Sequence, residues 1–248
     1  MSLETVKLFV GFDQREAAAY HVFCQSVIER ASVPVEFHPL ARGMLNGFDG
    51  QQDGTNAFIY SRYLVPYLCN FTGWALFCDG DMAVNEDIAV LWDERDRMAV
   101  GKGVGVVMHD YKTKHPRKYI GTALENANVD YPRKNYSSVM LWNCGFYPNR
   151  ILTPEYVGTA GGKALHRFEW LHDEQIHSLP RWWNHLVGED PPGHASLYHY
   201  TLGVGGIKHY ADDFGSWHWH RALLRALECA GENGVDMVKR AYDRVGDP

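Results

Sequence analysis

The stretch that most constrains the fold is Trp74-Ala75-Leu76-Phe77-Cys78-Asp79-Gly80-Asp81-Met82-Ala83-Val84. A short apolar run leads into two carboxylates. Its length suits a buried strand better than a helix. The glycine between the aspartates allows a tight turn and a close approach of backbone to a ligand. Residues two apart on an extended segment point the same way, so Asp79 and Asp81 can face one point. Two hard oxygen ligands converging in this way suit Mg²⁺ or Mn²⁺. The competing reading is an Asp-Gly turn joining two strands, and the motif alone favours that turn. The rest of the chain has to decide.

Around this stretch the sequence alternates strands with helices. Val6 to Phe12 reads as a first buried strand, and Asp13 follows it. Arg15 to Arg30 carries Ala18, Val22, Phe23, Val27 and Ile28 at helical spacing. Asp13 can cap that helix, and it also lies where open α/β sheets place ligands, after a strand. Pro34 to Leu40 reads as a second strand. Arg42 to Asn56 is a Gly-rich loop long enough to act as a lid. Ala57 to Leu68 is expected to be a helix that Pro66 kinks or ends. Arg62, within it, is either a solvated outer-face residue or one aimed at phosphate or at Asp79. Asn85 to Arg95 is a short amphipathic segment.

Val104 to Met108 and Ser137 to Cys144 read as two more strands. Between them, Lys112 to Lys134 is polar and irregular, and Lys112, Lys114, Arg117 and Lys118 read as solvated surface. Thr153 to Phe168 reads as a helix weakened by Gly158, Gly161 and Gly162. Asp173-Glu174-Gln175 is expected to lead into a short helix. The last third is rich in histidine. His218 and His220 could share a strand face and hold a metal, although a packing role is more usual for such a pair. Helices are expected around residues 221–229 and 235–244. No linker or internal repeat divides the 248 residues. A single α/β domain over 1–248 is expected, with about 209–248 as a helical extension.

Composition narrows the function classes. The net charge of -6 leaves no basic excess to attract nucleic acid. No stretch is long and apolar enough to span a bilayer, and no signal-peptide pattern opens the chain. Cys24, Cys69, Cys78, Cys144 and Cys229 are scattered, without CxxC spacing, and read as reduced thiols of a cytoplasmic protein. They indicate no zinc site. There is no GxGxxG after the first strand, so the usual dinucleotide fingerprint is absent.

Strand–helix repeats, an Asp-x-Asp after a buried strand, a later carboxylate pair and a late His-x-x-x-Gly together resemble the nucleotide-sugar glycosyltransferases of the GT-A fold. The resemblance is greatest to glycosyltransferase family 8 and its bacterial relatives, and runs from about Val6 to about Lys208. It implies a Rossmann-like mixed central sheet flanked by helices. It also implies transfer of a hexose from a nucleotide-diphosphate sugar, UDP first, to a hydroxyl acceptor such as a carbohydrate, with retention of configuration. Asp79, Asp81 and His199 match the family's ligands for Mn²⁺ or Mg²⁺. Asp13, in Gly11-Phe12-Asp13-Gln14-Arg15, matches the residue that contacts the nucleoside. Arg62 and Gly80 match donor-holding positions beside the Asp-x-Asp, and Lys208 a diphosphate-binding lysine. Ser137-Ser138-Val139-Met140-Leu141-Trp142-Asn143 resembles the family's sugar-binding strand. Asp173 and Glu174 resemble its catalytic Asp-Gln-Asp. Three positions depart from the pattern: Glu16 replaces the usual tyrosine after the first strand, Tyr136 an asparagine, and Glu174 a glutamine. A nucleotidyltransferase, a non-catalytic nucleotide- or carbohydrate-binding protein and a His-rich metallohydrolase are the other readings these residues allow.

Overall fold

The computed structural model describes residues 4–41, 43, 45 and 58–228. Its strands are β1 Val6–Gly11, β2 Val35–Leu40, β3 Trp74–Cys78, β4 Met82–Val84, β5 Val104–Val106, β6 Arg117–Lys118, β7 Asn126–Ala127, β8 Val139–Asn143, β9 Ile176–Ser178, β10 His185–Leu186 and β11 Leu197–His199. The helices are α1 Ala17–Ile28, α2 Val65–Leu68, α3 Ile88–Trp92, α4 Pro154–Thr159, α5 Gly162–His166 and α6 Ser216–Glu228. The lid expected over 42–56, apart from Gly43 and Leu45, lies outside the described residues, as do Cys229 and the helix expected over 235–244.

Six strands form the main sheet in the order β2-β1-β3-β8-β5-β9. β8 runs antiparallel to both neighbours, while the β1–β2, β1–β3 and β5–β9 pairs are parallel. A second sheet, β10-β11-β4, continues from it. The unbroken apolar run before Asp79 is explained by cover on both faces. Leu76 and Cys78 pack with Phe23 and Val27 of α1. Ala75 and Phe77, on the other face, pack with Tyr63, Val65, Val157 and Leu165 from α2, α4, α5 and the turn before α2. The antiparallel β8 matters for function. It brings its own first residues to the end of the sheet where β1 and β3 finish.

Several expectations hold with sharper bounds. Asp13 caps a 3-10 turn, Gln14–Glu16, by accepting from the Arg15 amide at 3.0 Å, and α1 follows. The segment before β3 is a 3-10 turn, Ser61–Leu64, running into the short α2 with Pro66 in its first turn, where a missing N–H does no harm. The helix expected over 153–168 is broken at Ala160–Gly161 into α4 and α5, as its glycines foretold. Three expectations need correction. Residues 112–134 contain the β6–β7 hairpin. Asp173–Gln175 is a 3-10 turn leading into strand β9, not a helix. His218 and His220 lie on α6, where residues two apart face different directions. His218 stacks on Tyr198 and His220 Nε2 contacts the Ala211 carbonyl.

Candidate active site

Asp79 and Asp81 belong to different sheets. The Asp79 amide donates to the Ser138 carbonyl at 2.9 Å, extending the β3–β8 ladder by one residue. The Asp81 carbonyl accepts from the Tyr200 amide at 2.9 Å, which starts the β4–β11 ladder, with Met82 opposite His199. That ladder carries His199 to Asp81 from more than a hundred residues away. Gly80 joins the two sheets. A Cβ there would lie 2.5 Å from the Gly11 carbonyl oxygen, so only glycine lets β1 and β3 end this close together.

One ligand atom from each of Asp79, Asp81 and His199 falls within 4.8 Å of the others. The chemistry of His199 can be deduced from its partner. Asn184, fully buried, donates through Nδ2 to the Ser138 hydroxyl at 2.8 Å and the Asn135 carbonyl at 3.3 Å. Its Oδ1 therefore faces His199 Nδ1 at 2.9 Å and accepts a hydrogen bond from the Nδ1–H. His199 Nε2 is left with a lone pair directed at the carboxylates, 3.4 Å from Asp81 Oδ1. That oxygen is buried and makes no hydrogen bond. A buried unbonded carboxylate oxygen, a second carboxylate and an oriented imidazole lone pair fit a divalent cation with mixed oxygen and nitrogen preference. Asn184 supplies the outer support typical of such a histidine.

The charges are arranged unequally. Arg62, buried, sits with Nη1 2.9 Å from Asp79 Oδ1 and donates to the Ser137 carbonyl at 2.9 Å. Its guanidinium lies over the Phe58 and Phe77 rings at 5.2 and 5.1 Å. Burial nevertheless pushes Asp79 up to about 6. Asp81 is equally enclosed, but its burial penalty is outweighed by the charge and hydrogen bond that His199 supplies when Nε2 is protonated, and by the Tyr119 hydroxyl, which donates to Oδ2 at 3.0 Å; its pKa is held below the ordinary range. Glu16 is pushed up to about 8 by burial and then by the charge of Asp81. Tyr119 hydrogen-bonds both carboxylates and stands between them.

These groups line one cavity, together with Gly11, Asp13, Gly80, Ser137, Ser138 and Lys118. Asp13 is buried, and its carboxylate takes a two-pronged contact from the Arg15 guanidinium at 3.0 and 2.6 Å. Phe12 and Arg15 stand beside the cavity rather than in its lining, with Phe12 packed edge-on to Tyr20. Lys208 is exposed in a 3-10 turn, Lys208–Tyr210, and does not line the cavity.

Asp173 and Glu174 are not brought to it either. The Gln175 carbonyl accepts from Gly103, and the Gly103 carbonyl from Asn143, which pairs with Trp74 at the start of β3. That is the opposite end of the sheet, four residues from Cys78, or about 13 Å at roughly 3.3 Å per residue. Asp173 is instead tied to Arg133 at the surface, and the Glu174 carbonyl accepts from Lys102 Nζ at 2.7 Å.

Four residues of the site escaped the sequence reading: Lys118, Tyr119, Asn184 and His166. Lys118 was expected on the surface with its basic neighbours; it lines the cavity, while Arg117 pairs outward with Glu125 at 2.6 Å. His166 Nδ1 meets the hydroxyls of Tyr63 at 2.8 Å and Ser137 at 2.9 Å, and burial holds its pKa down to about 3. No spacing rule would have found these residues, because each arrives from a two-residue hairpin strand, a loop or a helix end placed by long-range packing.

Comparison with known proteins follows the same lines. No protein-family model matches the chain. Among solved structures it is similar to galactosyltransferase LgtC in complex with donor and acceptor sugar analogs, with a TM-score of 0.56 and 13% identity over 88% of this chain and 95% of that one. It is also similar to mouse xyloside xylosyltransferase 1, with a TM-score of 0.51 and 15% identity over 81% of this chain and 100% of that one. The fold is therefore GT-A, a mixed central sheet with an Asp-x-Asp at its ligand-facing end. The sequence itself is 40% identical to Protein CDI of Arabidopsis thaliana over 209 residues, 79% of this chain and 78% of that protein. Identity at that level over most of both chains means common descent, and this chain belongs to the family of Protein CDI.

Proposed function

We propose that the protein is a metal-dependent, family 8-like glycosyltransferase that moves a hexose from a nucleotide-diphosphate sugar to a hydroxyl acceptor. The observation that carries the reading is the His199 lone pair, fixed by Asn184 and aimed at the two carboxylates. Asp79, Asp81 and His199 would hold Mn²⁺ or Mg²⁺, the imidazole favouring Mn²⁺. When bound, the cation supplies positive charge beside the leaving diphosphate, an effect on the order of several kcal/mol.

The chain's own residues supply the rest. Arg62 holds the Asp79 carboxylate in place through the contact described above and keeps it ionised against burial. Gly80 would present its backbone to the diphosphate, and Lys118, in the same lining, would offer it a cation. Asp13, with Gly11, Phe12 and Arg15 around it, is placed to meet the nucleoside, and UDP is the first nucleotide to test. Ser137 and Ser138 offer hydroxyls toward the sugar. In the reaction the acceptor oxygen forms a bond to the anomeric carbon as the bond from that carbon to the diphosphate oxygen breaks. The nucleoside diphosphate leaves with the electron pair, and the acceptor's proton passes to the departing oxygen. Retention of configuration, implied by family resemblance, would be read by NMR from the first-formed anomer. Asp173, Glu174 and Lys208 have no part in this scheme, because they lie outside the cavity.

The test is a thermal-shift screen of UDP- and GDP-sugars with and without Mn²⁺. The expected result is a rise in Tm that needs both nucleotide and metal. No response to any nucleoside diphosphate, with or without the ion, would overturn the reading.

A further inference from the structure

A second cavity of about 330 Å³ opens beside the first and shares with it Ile59, Lys118, Tyr131, Asn135, His166 and Thr201. Its own walls come from the β6–β7 hairpin, the turn before β8 and the end of α5. Lys118, Lys134, Lys163 and Arg167 line it, with the amides of Asn126 and Asn128, and no carboxylate does. This concentration of positive charge is unusual in a chain whose net charge is -6. Among the described residues, no carboxylate forms an ion pair with Lys118, Lys163 or Arg167. Lys134 is buried. It donates to Asn128 Oδ1 at 2.6 Å, pairs with the half-exposed Asp130 at 3.8 Å and lies over the Tyr111 ring, so its charge is partly met from outside the cavity lining. Lys163 and Arg167 have no such partner among the described residues, and like charges set close together at one pocket repel one another. The arrangement is stable in its most favourable form when an anion sits among them.

We propose that this cavity seats the acceptor and that the acceptor is an anion: a hydroxyl compound bearing a phosphate or carboxylate. Lys163 and Arg167 take the charged group, with Lys134 behind them, and the hydroxyl points across the shared wall of Asn135, His166 and Thr201 toward the first cavity. This rests on the donor reading above for its chemistry but not for its binding site. Ser137, Ser138 and Asp79 belong to the first cavity alone, so the two halves can be probed apart.

The test is calorimetric titration of the protein with Mn²⁺ and the nucleoside diphosphate selected by the thermal-shift screen both saturating. The probes are inorganic phosphate, a hexose 6-phosphate, a hexuronate and the neutral parent hexose. The phosphate and uronate arms separate the two anion types. At least one anionic probe is expected to bind tenfold or more tightly than the parent hexose. A Lys163→Ala/Arg167→Ala variant should lose that preference while binding nucleoside diphosphate and Mn²⁺ as before. Equal binding of charged and neutral probes would overturn the proposal. So would an anion preference that survives in the double variant. If no nucleoside diphosphate binds, the donor reading fails alone, and phosphate titrated with Mn²⁺ only still decides whether Lys163 and Arg167 form an anion site.

Discussion

The two cavities share a wall and differ in the sign of their charge. The first gathers four carboxylates, Asp13, Glu16, Asp79 and Asp81, against Arg62 and Lys118. The second gathers four cations and no carboxylate. They are also built differently. The first stands on strand ends and ladder hydrogen bonds, so Asp79 and Asp81 are fixed by the sheets, with Asp13 and Glu16 on the 3-10 turn that follows β1. The second stands on a hairpin, a turn and a five-residue helix, and its cations reach in on long side chains. A rigid acidic clamp beside an adaptable basic pocket suits one invariant ligand group and one variable one. In the proposed reaction these are the diphosphate with its cation and the acceptor.

The comparison is most easily broken at Asp81. Asp81→Asn should abolish the metal-dependent part of the nucleotide thermal shift and lower transfer by roughly 10³-fold, which corresponds to about 4 kcal/mol. Circular dichroism should show the fold intact. Transfer at the normal rate in this variant would mean that the acidic cavity is not a metal clamp.

Arg62→Ala comes next and acts on stability. It leaves the buried Asp79 carboxylate facing the like charge of Asp81 with its guanidinium gone, and loss of one partner of a buried pair costs about 3 kcal/mol or more. Urea denaturation should show that loss. Arg62→Lys should recover only part of it, since a lysine cannot reproduce the planar contact over Phe58 and Phe77.

The shared wall gives a pH test. Burial holds His166 down to about 3 and His109 down to about 4. Neither can take up a proton readily when folded, whereas both do so near 6.5 when unfolded. Below about pH 6.5 the unfolded chain therefore binds more protons, and stability falls with acidity by up to about 1.4 kcal/mol per pH unit for each group. Asp79, raised to about 6, works in the opposite direction between about pH 4 and 6, and Glu16, raised to about 8, does so between about pH 4.5 and 8, so the wild-type slope is a net value. His166→Gln isolates one contribution. Its Tm should fall less than that of the wild type between pH 7 and pH 4, and an unchanged slope would show that His166 titrates freely.

The smallest effect belongs to the basic pocket. Lys163→Ala removes one exposed cation, and a single exposed charge is worth at most about 1 kcal/mol. A two- to fivefold rise in KM for an anionic acceptor at low salt is expected, vanishing at high ionic strength, with kcat unchanged. A salt-insensitive effect would point to packing rather than charge.

What could be read from the chain divides along the same line as the cavities. β1, α1, β3 and β8 announce themselves because each is a short apolar run or a helical stripe packed on the core, and burial writes itself into the sequence. Asp13, Asp79 and Asp81 were legible because they follow such strands directly. Lys118, Asn184 and His166 were not, since a loop residue's position depends on partners that local pattern does not record. Asp173-Glu174 shows the opposite limit. The residues resemble a motif in type and order, yet the pairing of β9 with β5 sets them at the far end of the sheet. His218-Trp219-His220 alternates as a strand would but lies on α6, where His218 has the packing role that is more usual for such a pair.

Gly80 is the seam between two separately hydrogen-bonded sheets, with Asp79 stitched to one and Asp81 to the other. The opening between the two carboxylates is therefore a measure of the angle between those sheets. A cation gripped there would act as a rivet, and its affinity as a gauge of that angle. Substitutions far from the site that tilt either sheet, such as changes beneath β11 or behind β8, should then show first as weaker metal retention, before any contact with the nucleotide is altered.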